Sequence, residues 1–577
     1  MAAIISSHHW KIRSIPETEV TALARQLNTS HIIATLLYQR GCRTPTAAEE
    51  FLNPSPLRLH KPDTLPDISI ATRRIQQAIE KEEKILVYGD YDVDGVCGTA
   101  ILVSTIKNLG GRVLAYIPHR HKEGYGFSPA GVEFAREQHV QLIITTDCGS
   151  SDLVTITRAQ QSGMDVIVTD HHEPGPHPSP AVAFINPKRP DSHYPFRELA
   201  GAGVAFKLAW QLLATLGRTK QELIELLDLA GLGTIADVVP LIGENRVIAR
   251  LGLLALNRTT RPGIRALIES SGLKPGALTA RDIGFILGPR INAAGRVDHA
   301  QPALELLLTS DETSAKTIAE ELNQLNRVRQ ALEEKILNQA IQRIETENLA
   351  KQRVIVLEHD GWHEGVIGIV AARLVERFWR PCIMIALKEK IGKGSGRSVT
   401  GFDLYSSLQA CAQHLLSYGG HRYAAGLKIS KENIPQFRTA INQFALNAPE
   451  EIFAPTLHIE TVASLNEINE ELLVTLAKFE PFGPENPEPV FASLGLEVVG
   501  YPRRVGRDKQ HLKFKVRSGE SVLTAIAWER SNELLNIQVG KPNHIDICYT
   551  IGADNFRGNN GIQLNILDLK THREPNT

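Results

Sequence analysis

Three aspartates at alternate positions follow an apolar run near residue 90. The stretch KILVYGDYDVDG, residues 84–95, places Asp90, Asp92 and Asp94 within five residues. Carboxylates this close disfavour one another's charge, so the arrangement favours a bound cation that offsets the repulsion. A hard divalent metal ion is the simplest such cation. The alternative is an ordinary turn, since Asp-Gly pairs are common in turns.

Further acidic and histidine residues recur in short segments downstream. The segments TTDCG, TDHHEP and GTIADVVPL contribute Asp147, Asp170, His171, His172 and Asp237. Carboxylates with one or two imidazoles suit Mn²⁺ or Mg²⁺ better than zinc. Two such ions about 3.5–4 Å apart can activate a water and stabilise both oxygens of a phosphoryl displacement. Taken singly, Asp170 is also typical of a cap and the histidines of surface residues, so the combination carries the prediction.

An alternation of strands and helices over residues 84–185 would bring these segments together. Short β-rich runs such as KILVYG, QLIITTD and DVIVTD alternate with helical runs such as GTAILVSTIKNLG. This pattern predicts a parallel α/β sheet. Its strands are expected to end at Asp90, Pro118, Asp147 and Asp170. Because ligands bind outside the carboxyl ends of such strands, the acidic loops are expected on one rim.

The rest of the chain divides by its pattern. Residues 311–350 contain neither Gly nor Pro and repeat apolar residues at steps of three, four and seven. They predict a helix of up to about 60 Å that bridges two domains, with a dimerising coiled coil as the alternative. Residues 351–446 predict a second α/β unit, and residues 452–577 a small β-barrel or sandwich. We expect residues 1–82 to form a mostly helical N-terminal appendage and residues 83–310 the metal-binding domain.

The composition is typical of a folded protein from a reducing compartment. Of the 577 residues, 42% are hydrophobic and 22% are charged, and a chain of this length needs several cores. The six cysteines lack paired spacing, so neither a disulfide framework nor a thiolate zinc site is expected. A signal peptide and apolar runs of about 18 residues are absent, which predicts a cytoplasmic protein. The net charge of −1 does not by itself favour a nucleic-acid partner.

The motifs, in their order along the chain, resemble those of the DHH phosphoesterase superfamily. They are DYDVDG, DCG, DHH and GTIADVVPL. With LAGAGVAFKLAW, RINAAGR, HEGVIGIVAARL, GSGRS and GGHRYAAGL added, residues 70–570 closely resemble the RecJ family of bacterial single-strand-specific 5′ to 3′ DNA exonucleases. The resemblance implies an α/β fold in which a DHH parallel-sheet domain and a DHH-associated α/β domain are joined by a long helix. It also implies a C-terminal all-β OB-fold.

The same resemblance implies roles for the acidic and histidine residues. Two Mn²⁺ or Mg²⁺ ions would be the cofactor, and their ligands would be Asp92, Asp94, Asp147, His171 and Asp237. Many superfamily members have a histidine at the position of Tyr88, and tyrosine is a poor neutral ligand. Coordination of the first ion is therefore assigned to Asp90 instead. His172, close to the scissile phosphate, Asp90 and Asp170 are the catalytic candidates.

A second set of residues is expected to hold a phosphodiester backbone. The segments RINAAGR and GKGSGRS supply arginines that can fork two hydrogen bonds to phosphate and glycines that admit an anion. A third segment, HEGVIGIVAARL, begins a predicted helix, whose N-terminus attracts phosphate. By resemblance, these groups face the metal rim across a cleft; ordinary solvated loops are the alternative. The candidates are Arg120, for the 5′ end, and Arg290, Asn292, Arg296, His363, Ser395, Arg397 and His421.

The C-terminal region contains one basic cluster. Residues 503–517 hold seven Lys or Arg against a single Asp, with Phe514 among them and Trp528 beyond. Cations interleaved with aromatic rings are typical of surfaces that follow a nucleic-acid backbone and stack its bases. A charged hairpin edge is the alternative, and the resemblance to an OB-fold favours single-strand binding. The candidates are Arg503, Arg504, Lys513 and Phe514.

The leading hypothesis is a metal-dependent exonuclease that releases 5′-mononucleotides from single-stranded DNA in recombination and repair. A phosphoesterase acting on short oligonucleotides, cyclic dinucleotides or pyrophosphate is the second hypothesis, against which the β-rich residues 452–577 argue. The third is an inactive DNA-binding relative, against which the complete acidic set argues. A RecQ-type helicase and a single-strand-binding protein are expected as partners by resemblance, and the chain is expected to be a monomer.

Overall fold

The chain forms two compact units. A computed structural model describes residues 8–530, 544–554 and 561–571. Pro54–Phe453 form one unit, here called the central unit. Met1–Asn53 and Ala454–Thr577 together form the other, here called the terminal unit.

Helices and strands alternate in the central unit, whereas strands dominate the C-terminal part of the chain. The α-helices are α1 Glu17–Leu27, α2 His31–Gln39, α3 Pro45–Leu52, α4 Ile68–Glu80, α5 Val93–Asn108, α6 Pro129–Glu137, α7 Leu153–Gln161, α8 Gly201–Thr215, α9 Lys220–Ile224, α10 Leu227–Ala236, α11 Gly243–Leu256, α12 Pro262–Ser270, α13 Ala280–Asp282, α14 Gly288–Val297, α15 Gln301–Leu308, α16 Glu312–Thr346, α17 Ile367–Phe378, α18 Leu404–Ala410, α19 Ile434–Ala445 and α20 Glu470–Ala477. The β-strands are β1 His9–Ile12, β2 Lys84–Gly89, β3 Arg112–Tyr116, β4 Leu142–Thr146, β5 Asp165–Thr169, β6 Ala183–Ile185, β7 Ile355–His359, β8 Cys382–Lys388, β9 Ile391–Arg397, β10 Ser417–Gly420, β11 Ala424–Ser430, β12 Thr456–Ile459, β13 Thr461–Val462, β14 Phe491–Val505, β15 His511–Ser518, β16 Ser521–Ala527, β17 His544–Asp554 and β18 Gly561–Thr571.

The first sheet of the central unit is parallel throughout, in the order β3-β2-β4-β5-β6. Its strands are apolar on both faces because alternate residues enter two different cores. Ile85 and Val87 lie in one core, and Leu86 lies in the other. The register pairs Gly89 with Thr146, and Thr146 with Thr169. Three strands therefore end at the same level, and the aspartates that follow them start from one rim, as predicted.

The second sheet of the central unit is mixed, in the order β10-β11-β9-β8-β7. Strand β7 runs parallel to β8, and the other pairs are antiparallel. The alternate glycines of β9 pack against the core, because a Cβ on any of them would lie 2.5–2.8 Å from a neighbouring side chain; they are Gly392, Gly394 and Gly396. These glycines serve core packing and not the approach of an anion that the sequence suggested. Ser395 and Arg397 alternate with them and are partly exposed.

Helix α16 connects the two sheets of the central unit. Its first half contributes to the core of the first sheet through Ala315, Ala319 and Leu322. Its second half contributes to the core beneath β7 and β8 through Ile336, Ala340 and Ile344. Between these apolar halves, the Asn323 amide donates to the Ser270 carbonyl oxygen at 2.7 Å, and Glu333 pairs with Arg373 of α17 at 3.0 Å. Among the described residues, none of the helices is both long and apolar enough to cross a membrane.

The C-terminal strands form a closed barrel. The six strands follow the order β13-β14-β15-β16-β18-β17, and β14 also pairs with β17, which closes the sheet. Along β15, Leu512, Phe514 and Val516 are buried and alternate with lysines. The barrel and the two α/β sheets confirm the predicted fold class.

The N-terminal segment differs from the single appendage expected over residues 1–82. Helix α2 packs into the core of the barrel through Leu36 and Leu37, and β1 pairs with β12. Helix α4 instead packs on the first sheet through Ile68 and Ile75. The segment is divided because its apolar faces are buried in different cores, on either side of a proline-rich break. The expected boundaries of the other segments stay predictions.

Candidate active site

The triple-aspartate segment runs from the end of β2 into the first turn of α5. Asp92 caps the helix, because its Oδ1 accepts hydrogen bonds from the amides of Asp94 at 3.0 Å and Gly95 at 3.1 Å. Gly95 has no room for a side chain, since a Cβ there would lie 2.5 Å from the carbonyl oxygen of Asp90. The tight turn therefore holds the three carboxylates close together at a helix N-terminus, which favours negative charge.

A second helix N-terminus fixes Asp94. Its carboxylate accepts hydrogen bonds from the amides of Gly201 at 2.5 Å and Ala202 at 2.9 Å, at the start of α8. A side chain at position 201 is excluded, because a Cβ there would lie 2.7 Å from the Cβ of Asp147. This packing explains why the first glycine of the LAGAGVAF segment, Gly201, is required, and it keeps Asp94 near Asp147.

Side chains from four segments meet at this rim in groups that suit a metal ion. In each of three groups, the candidate ligand atoms lie within 4.8 Å of one another. The groups are Asp90, Asp92 and Asp147; Asp94, His171 and Asp237; and Asp147, His171 and His172. Asp147 and His171 each belong to two of these groups. The three groups therefore form one connected set of residues, here called the acidic cluster. It contains all five residues predicted as metal ligands, together with Asp90 and His172.

Several ligand atoms of the acidic cluster are buried without a hydrogen-bond partner. They are Asp90 Oδ1, Asp147 Oδ1 and His171 Nε2. His171 Nε2 lies 3.1 Å from Asp147 Oδ1 and 3.7 Å from Asp237 Oδ2, without the geometry of a hydrogen bond. A buried polar atom left unpaired costs about 1–3 kcal/mol. Convergent carboxylate and imidazole atoms of this kind fit Mn²⁺ or Mg²⁺.

The electrostatics of the acidic cluster also favour a cation. Burial raises the pKa of Asp90, Asp147 and Asp237 well above the ordinary value, and neighbouring carboxylates raise it further. The same causes raise the pKa of Asp94 to about 7. Burial and the charge of His172 lower the pKa of His171 to about 3, so its imidazole is neutral and able to act as a ligand. A divalent ion would relieve the repulsion that these carboxylates meet when ionised.

Asp170 holds His172 and lies outside the groups that suit a metal. Its carboxylate accepts hydrogen bonds from the amides of Ser150 at 2.9 Å, His171 at 2.7 Å and His172 at 3.1 Å. It also lies 2.8 Å from His172 Nδ1. Although burial opposes it, the hydrogen bond and charge of His172 lower the pKa of Asp170. Of the three catalytic candidates, Asp170 is thus placed to position His172.

Tyr88 is buried in the core on one face of the first sheet and belongs to none of the groups that suit a metal. Its hydroxyl donates to the Gly126 carbonyl oxygen at 2.9 Å and accepts from the Ser128 amide at 3.1 Å. Its ring stacks on Tyr116 in the core on that face. The position is therefore structural in this chain, whereas Asp90 belongs to one of the groups that suit a metal.

A cavity of about 420 Å³ opens between the rim of the first sheet and the second sheet. Tyr91 and Arg120 line it from the first sheet, and Lys393 and Ser395 line it from β9. The Arg120 guanidinium lies 4.8 Å from the centre of the Tyr91 ring. Polar and cationic side chains therefore line the cavity from both sheets, whereas the residues of the acidic cluster do not line it.

Three of the predicted phosphate-binding arginines lie close enough to affect one another. Burial, then the charges of Arg120 and Arg397, lower the pKa of Arg296 to about 9. Burial and the charge of Arg120 also lower the pKa of Arg397. Cations grouped against their mutual repulsion are complementary to an anion, and guanidinium groups suit phosphate.

Other predicted phosphate contacts are occupied inside the protein. Arg290 donates to Asn323 Oδ1 at 2.7 Å and to the Ile286 carbonyl oxygen at 2.8 Å. The Asn292 side-chain oxygen accepts from the Val93 amide at 3.1 Å, so it supports the start of α5. Both are thus tied to neighbouring helices, which differs from the predicted contact with phosphate.

Two histidines of the phosphate-binding set lie in different surroundings. His363 lies in the loop before α17, where its Nδ1 accepts a hydrogen bond from the Gly365 amide at 3.2 Å. His421 is exposed in the turn between β10 and β11. The described residues that line the cavity do not include His421.

In the terminal unit, Phe514 is a core residue and the prediction that it stacks on bases is wrong. Its side chain is 3% exposed within the barrel. Trp528 is 49% exposed, and its ring centre lies 4.8 Å from that of His511. Arg503 and Arg504 are exposed, whereas Lys513 pairs with Asp554 at 3.0 Å.

The sequence prediction missed two groups of residues around the site. Asn186 donates to the Ser150 hydroxyl at 2.9 Å and to the His172 carbonyl oxygen at 2.8 Å, so it fixes the histidine segment. His121 and Glu364 line the cavity and contact each other at 3.1 Å. Glu364 lies in the HEGVIGIVAARL segment, but no local pattern marks the contacts of these residues, because each acts through partners distant in the chain.

Comparison with known families and proteins accounts for both units. Residues 84–234 match the N-terminal domain of the DHH family, residues 351–447 the DHHA1 domain and residues 459–568 the RecJ OB domain. The single-stranded-DNA-specific exonuclease RecJ of Dickeya dadantii is 36% identical over 535 residues, which are 87% of this chain and 90% of that protein. The chain belongs to the RecJ family. The resemblance inferred from the motifs is confirmed.

Other RecJ proteins are similar over different shares of their length. RecJ of Bacillus subtilis is 41% identical over 532 residues, which are 91% of this chain but 66% of that protein. The crystal structure of Thermus thermophilus RecJ in complex with Mn²⁺ has a TM-score of 0.83 at 31% identity and covers 99% of this chain and 80% of that one. A crystal structure of RecJ bound to manganese has a TM-score of 0.59 at 37% identity and covers 67% of this chain and 96% of that one.

We predict that Mn²⁺ stabilises the chain through Asp147. Adding Mn²⁺ at about 100 times its Kd should stabilise the wild type by roughly 2.7 kcal/mol, because only the folded cluster binds it. Asp147→Asn should melt above the wild type without metal, since one buried carboxylate is gone, and should lose the Mn²⁺ response. Asparagine tolerates the backbone φ of 61° at this position. Thermal unfolding with chelator and with Mn²⁺ measures both effects.

The matched control is Asp152→Asn. Asp152 is another carboxylate near the first sheet, where it accepts from the Phe127 amide at 2.7 Å, outside the acidic cluster. The Asp152→Asn variant should be stabilised by Mn²⁺ as much as the wild type is. An unchanged Mn²⁺ response in Asp147→Asn would contradict the assignment.

Proposed function

We propose that this chain is a single-stranded-DNA-specific exonuclease that releases 5′-mononucleotides in the 5′ to 3′ direction with two Mn²⁺ or Mg²⁺ ions. The observation that carries the proposal is the acidic cluster, in which buried ligand atoms converge without hydrogen-bond partners. The RecJ relatives named as single-stranded-DNA-specific exonucleases support the substrate, and the RecJ structures with Mn²⁺ and Mg²⁺ support the cofactor.

In this proposal the acidic cluster holds the two ions. The ligands are Asp92, Asp94, Asp147, His171 and Asp237. Asp90 is a further ligand of the first ion, because Tyr88 does not provide one. Bound divalent ions supply an activated water and offset the negative charge that develops on the phosphate. Asp170 orients His172 through Nδ1, so the ring is presented at the edge of the cluster beside the scissile phosphate.

Three neighbouring arginines, of which Arg120 lines the cavity, bind the strand in this proposal. Arg120, Arg296 and Arg397 repel one another unless an anion lies between them, and a phosphate group satisfies that condition. A cavity of about 420 Å³ is the size of a small-ligand pocket, which suits part of one strand and not a base-paired duplex. This size supports the preference for single strands.

The barrel of the terminal unit provides a second single-strand surface in this proposal. Trp528 offers an exposed aromatic face with the partly buried ring of His511 beside it, and Arg503 and Arg504 offer charge. Bases stack on such rings while cations follow the backbone, a mode that tolerates any sequence. Binding should therefore weaken steeply with added salt.

The cellular role is also part of the proposal. An exonuclease of this specificity would act in DNA recombination and repair, on strands that a RecQ-type helicase separates and a single-strand-binding protein covers. Family membership supports this role. The monomeric state and the cytoplasmic location stay predictions.

The polarity is tested with end-labelled single strands. We expect a 5′ label to be lost at once as a mononucleotide, while a 3′-labelled copy shortens step by step. Both reactions require Mn²⁺ or Mg²⁺ and stop with chelator, because the ions activate the water. Resolving the products by electrophoresis over time distinguishes the two patterns.

A blunt duplex and Asp147→Ala are the controls for this assay. The duplex should be spared, and Asp147→Ala should bind the strand but release no product. Immediate loss of the 3′ label would reverse the polarity. Cleavage of dinucleotides without cleavage of long strands would replace the proposal by the small-substrate activity.

The role of the barrel is tested by Trp528→Ala beside Phe514→Leu. Loss of one stacking ring should weaken binding to a long strand by about 1–3 kcal/mol, with thermal stability unchanged. Phe514→Leu should lower stability because it leaves a gap in the core, and should leave affinity unchanged at temperatures where the protein is folded. Fluorescence anisotropy with a labelled strand measures the affinities. Equal affinity of Trp528→Ala and wild type would remove Trp528 from the binding surface.

A further inference from the structure

One histidine lies at the contact between the two sheets of the central unit. His121 follows β3, on the side of the first sheet, and it lines the cavity. Its Nε2 lies 2.9 Å from the carbonyl oxygen of Arg296, in α14. Its Nδ1 lies 3.1 Å from Glu364 Oε1, in the loop before α17 on the side of the second sheet. We call these two hydrogen bonds the His121 bridge.

Both partners of His121 are acceptors. A carbonyl oxygen and an ionised carboxylate have no proton to give, so in either hydrogen bond the ring nitrogen of His121 is the donor. Although burial opposes it, the hydrogen bond and charge of Lys393, with the charge of His121, lower the pKa of Glu364. The carboxylate is therefore ionised and accepts from the ring.

The bridge also neutralises a carboxylate on a surface that should attract phosphate. Glu364 lines the cavity, where a free negative charge would repel a nucleic-acid backbone. Lys393 of β9 lies 2.8 Å from Glu364 Oε2, and His121 occupies Oε1. Each oxygen of Glu364 thus has a partner, Lys393 from the second sheet and His121 from the side of the first.

The surrounding packing leaves little tolerance in the bridge. The Arg296 side chain donates to the Gly365 carbonyl oxygen at 3.2 Å, so its backbone and side chain both lie in the contact. A Cβ at Gly365 would lie 2.3 Å from the Arg296 carbonyl oxygen and 3.1 Å from the His121 ring. Only a glycine allows this approach, which fixes the loop before α17 against α14.

The bridge is connected to Ser395 and Arg397 through α17 and β9. A Cβ at Gly368, in the first turn of α17, would lie 2.7 Å from the Ser395 hydroxyl and 3.2 Å from the Arg397 guanidinium, so this turn packs closely against both. Lys393, the cation on Glu364, precedes Ser395 by two positions in β9. A shift of the Glu364 loop would therefore move Ser395 and Arg397 relative to Arg296.

We propose that His121 is a positioning residue for the strand: its hydrogen bonds to Arg296 and Glu364 set the spacing between Arg296 of α14 and the phosphate-binding residues Ser395 and Arg397 of β9. This inference rests on the proposed function, since it concerns how the same cavity holds single-stranded DNA. His121 itself touches neither the acidic cluster nor the reacting atoms.

The chain offers variants that separate the two hydrogen bonds. His121→Asn keeps a donor near the position of Nδ1, for Glu364, and His121→Gln keeps one near the position of Nε2, for Arg296. His121→Ala keeps neither. The matched control is His299→Asn: His299 belongs to the same group of rings, 5.7 Å from His119, but its Nδ1 accepts from the Gln301 amide within its own segment.

The experiment measures KM and kcat on a single-stranded oligonucleotide, and kcat/KM on bis(p-nitrophenyl) phosphate, a diester small enough to need the acidic cluster alone. His121→Ala should raise KM for DNA roughly tenfold, the effect expected for hydrogen bonds to charged groups. His121→Asn and His121→Gln should raise it less. The kcat on DNA and the hydrolysis of the small diester should stay within about twofold of wild type, because the cluster is intact.

Hydrogen exchange provides a readout that does not depend on DNA. Amides of residues 363–368 should exchange faster in His121→Ala than in wild type, and His299→Asn should match the wild type. Unchanged KM and unchanged exchange in His121→Ala would overturn the inference, as would an equal loss on the small diester. If the wild type cleaves the small diester but not DNA, the proposed function fails while the exchange result still decides whether the bridge holds the loop.

Discussion

The structure of the central unit depends on holding several carboxylates together where water does not screen them. The parallel register ends three strands at one level, and two helix N-termini, those of α5 and α8, supply the amides that fix Asp92 and Asp94. These amides stabilise negative charge but leave Asp90 and Asp147 with unpaired oxygens. The folding energy of the sheet therefore maintains an arrangement that is unfavourable until a divalent cation is bound.

Polar side chains around the acidic cluster hold the segments that carry its residues. Asp170 and Asn186 fix the His172 segment, Asn292 supports the start of α5, and none of the three belongs to the groups that suit a metal. Beside the cavity, the mutually repelling arginines Arg296 and Arg397 come from α14 and β9. The acidic cluster favours cations and the grouped arginines favour anions, so a phosphodiester with its metal ions is complementary to both.

The sequence predicted the acidic rim because one local rule governs it: residues that follow parallel strands share an edge. The same alternation that marks β15 as a strand also places Phe514 inside, since Leu512, Phe514 and Val516 share a face and the lysines take the other. The cluster of basic residues hid that signal. The contacts of His121 could not be predicted, because its partners lie 175 and 243 positions away in the chain. Arg290 was likewise predicted to bind phosphate, although its partner is Asn323 of α16.

Anomalous diffraction from crystals grown with Mn²⁺ tests the central claim most directly. We expect two manganese peaks about 3.5–4 Å apart within the acidic cluster, with Asp147 between them. Crystals of Asp147→Asn under the same conditions should lose at least one peak. A wild-type structure without manganese in the cluster, or with manganese bound only elsewhere, would contradict the claim that the fold holds these carboxylates for metal.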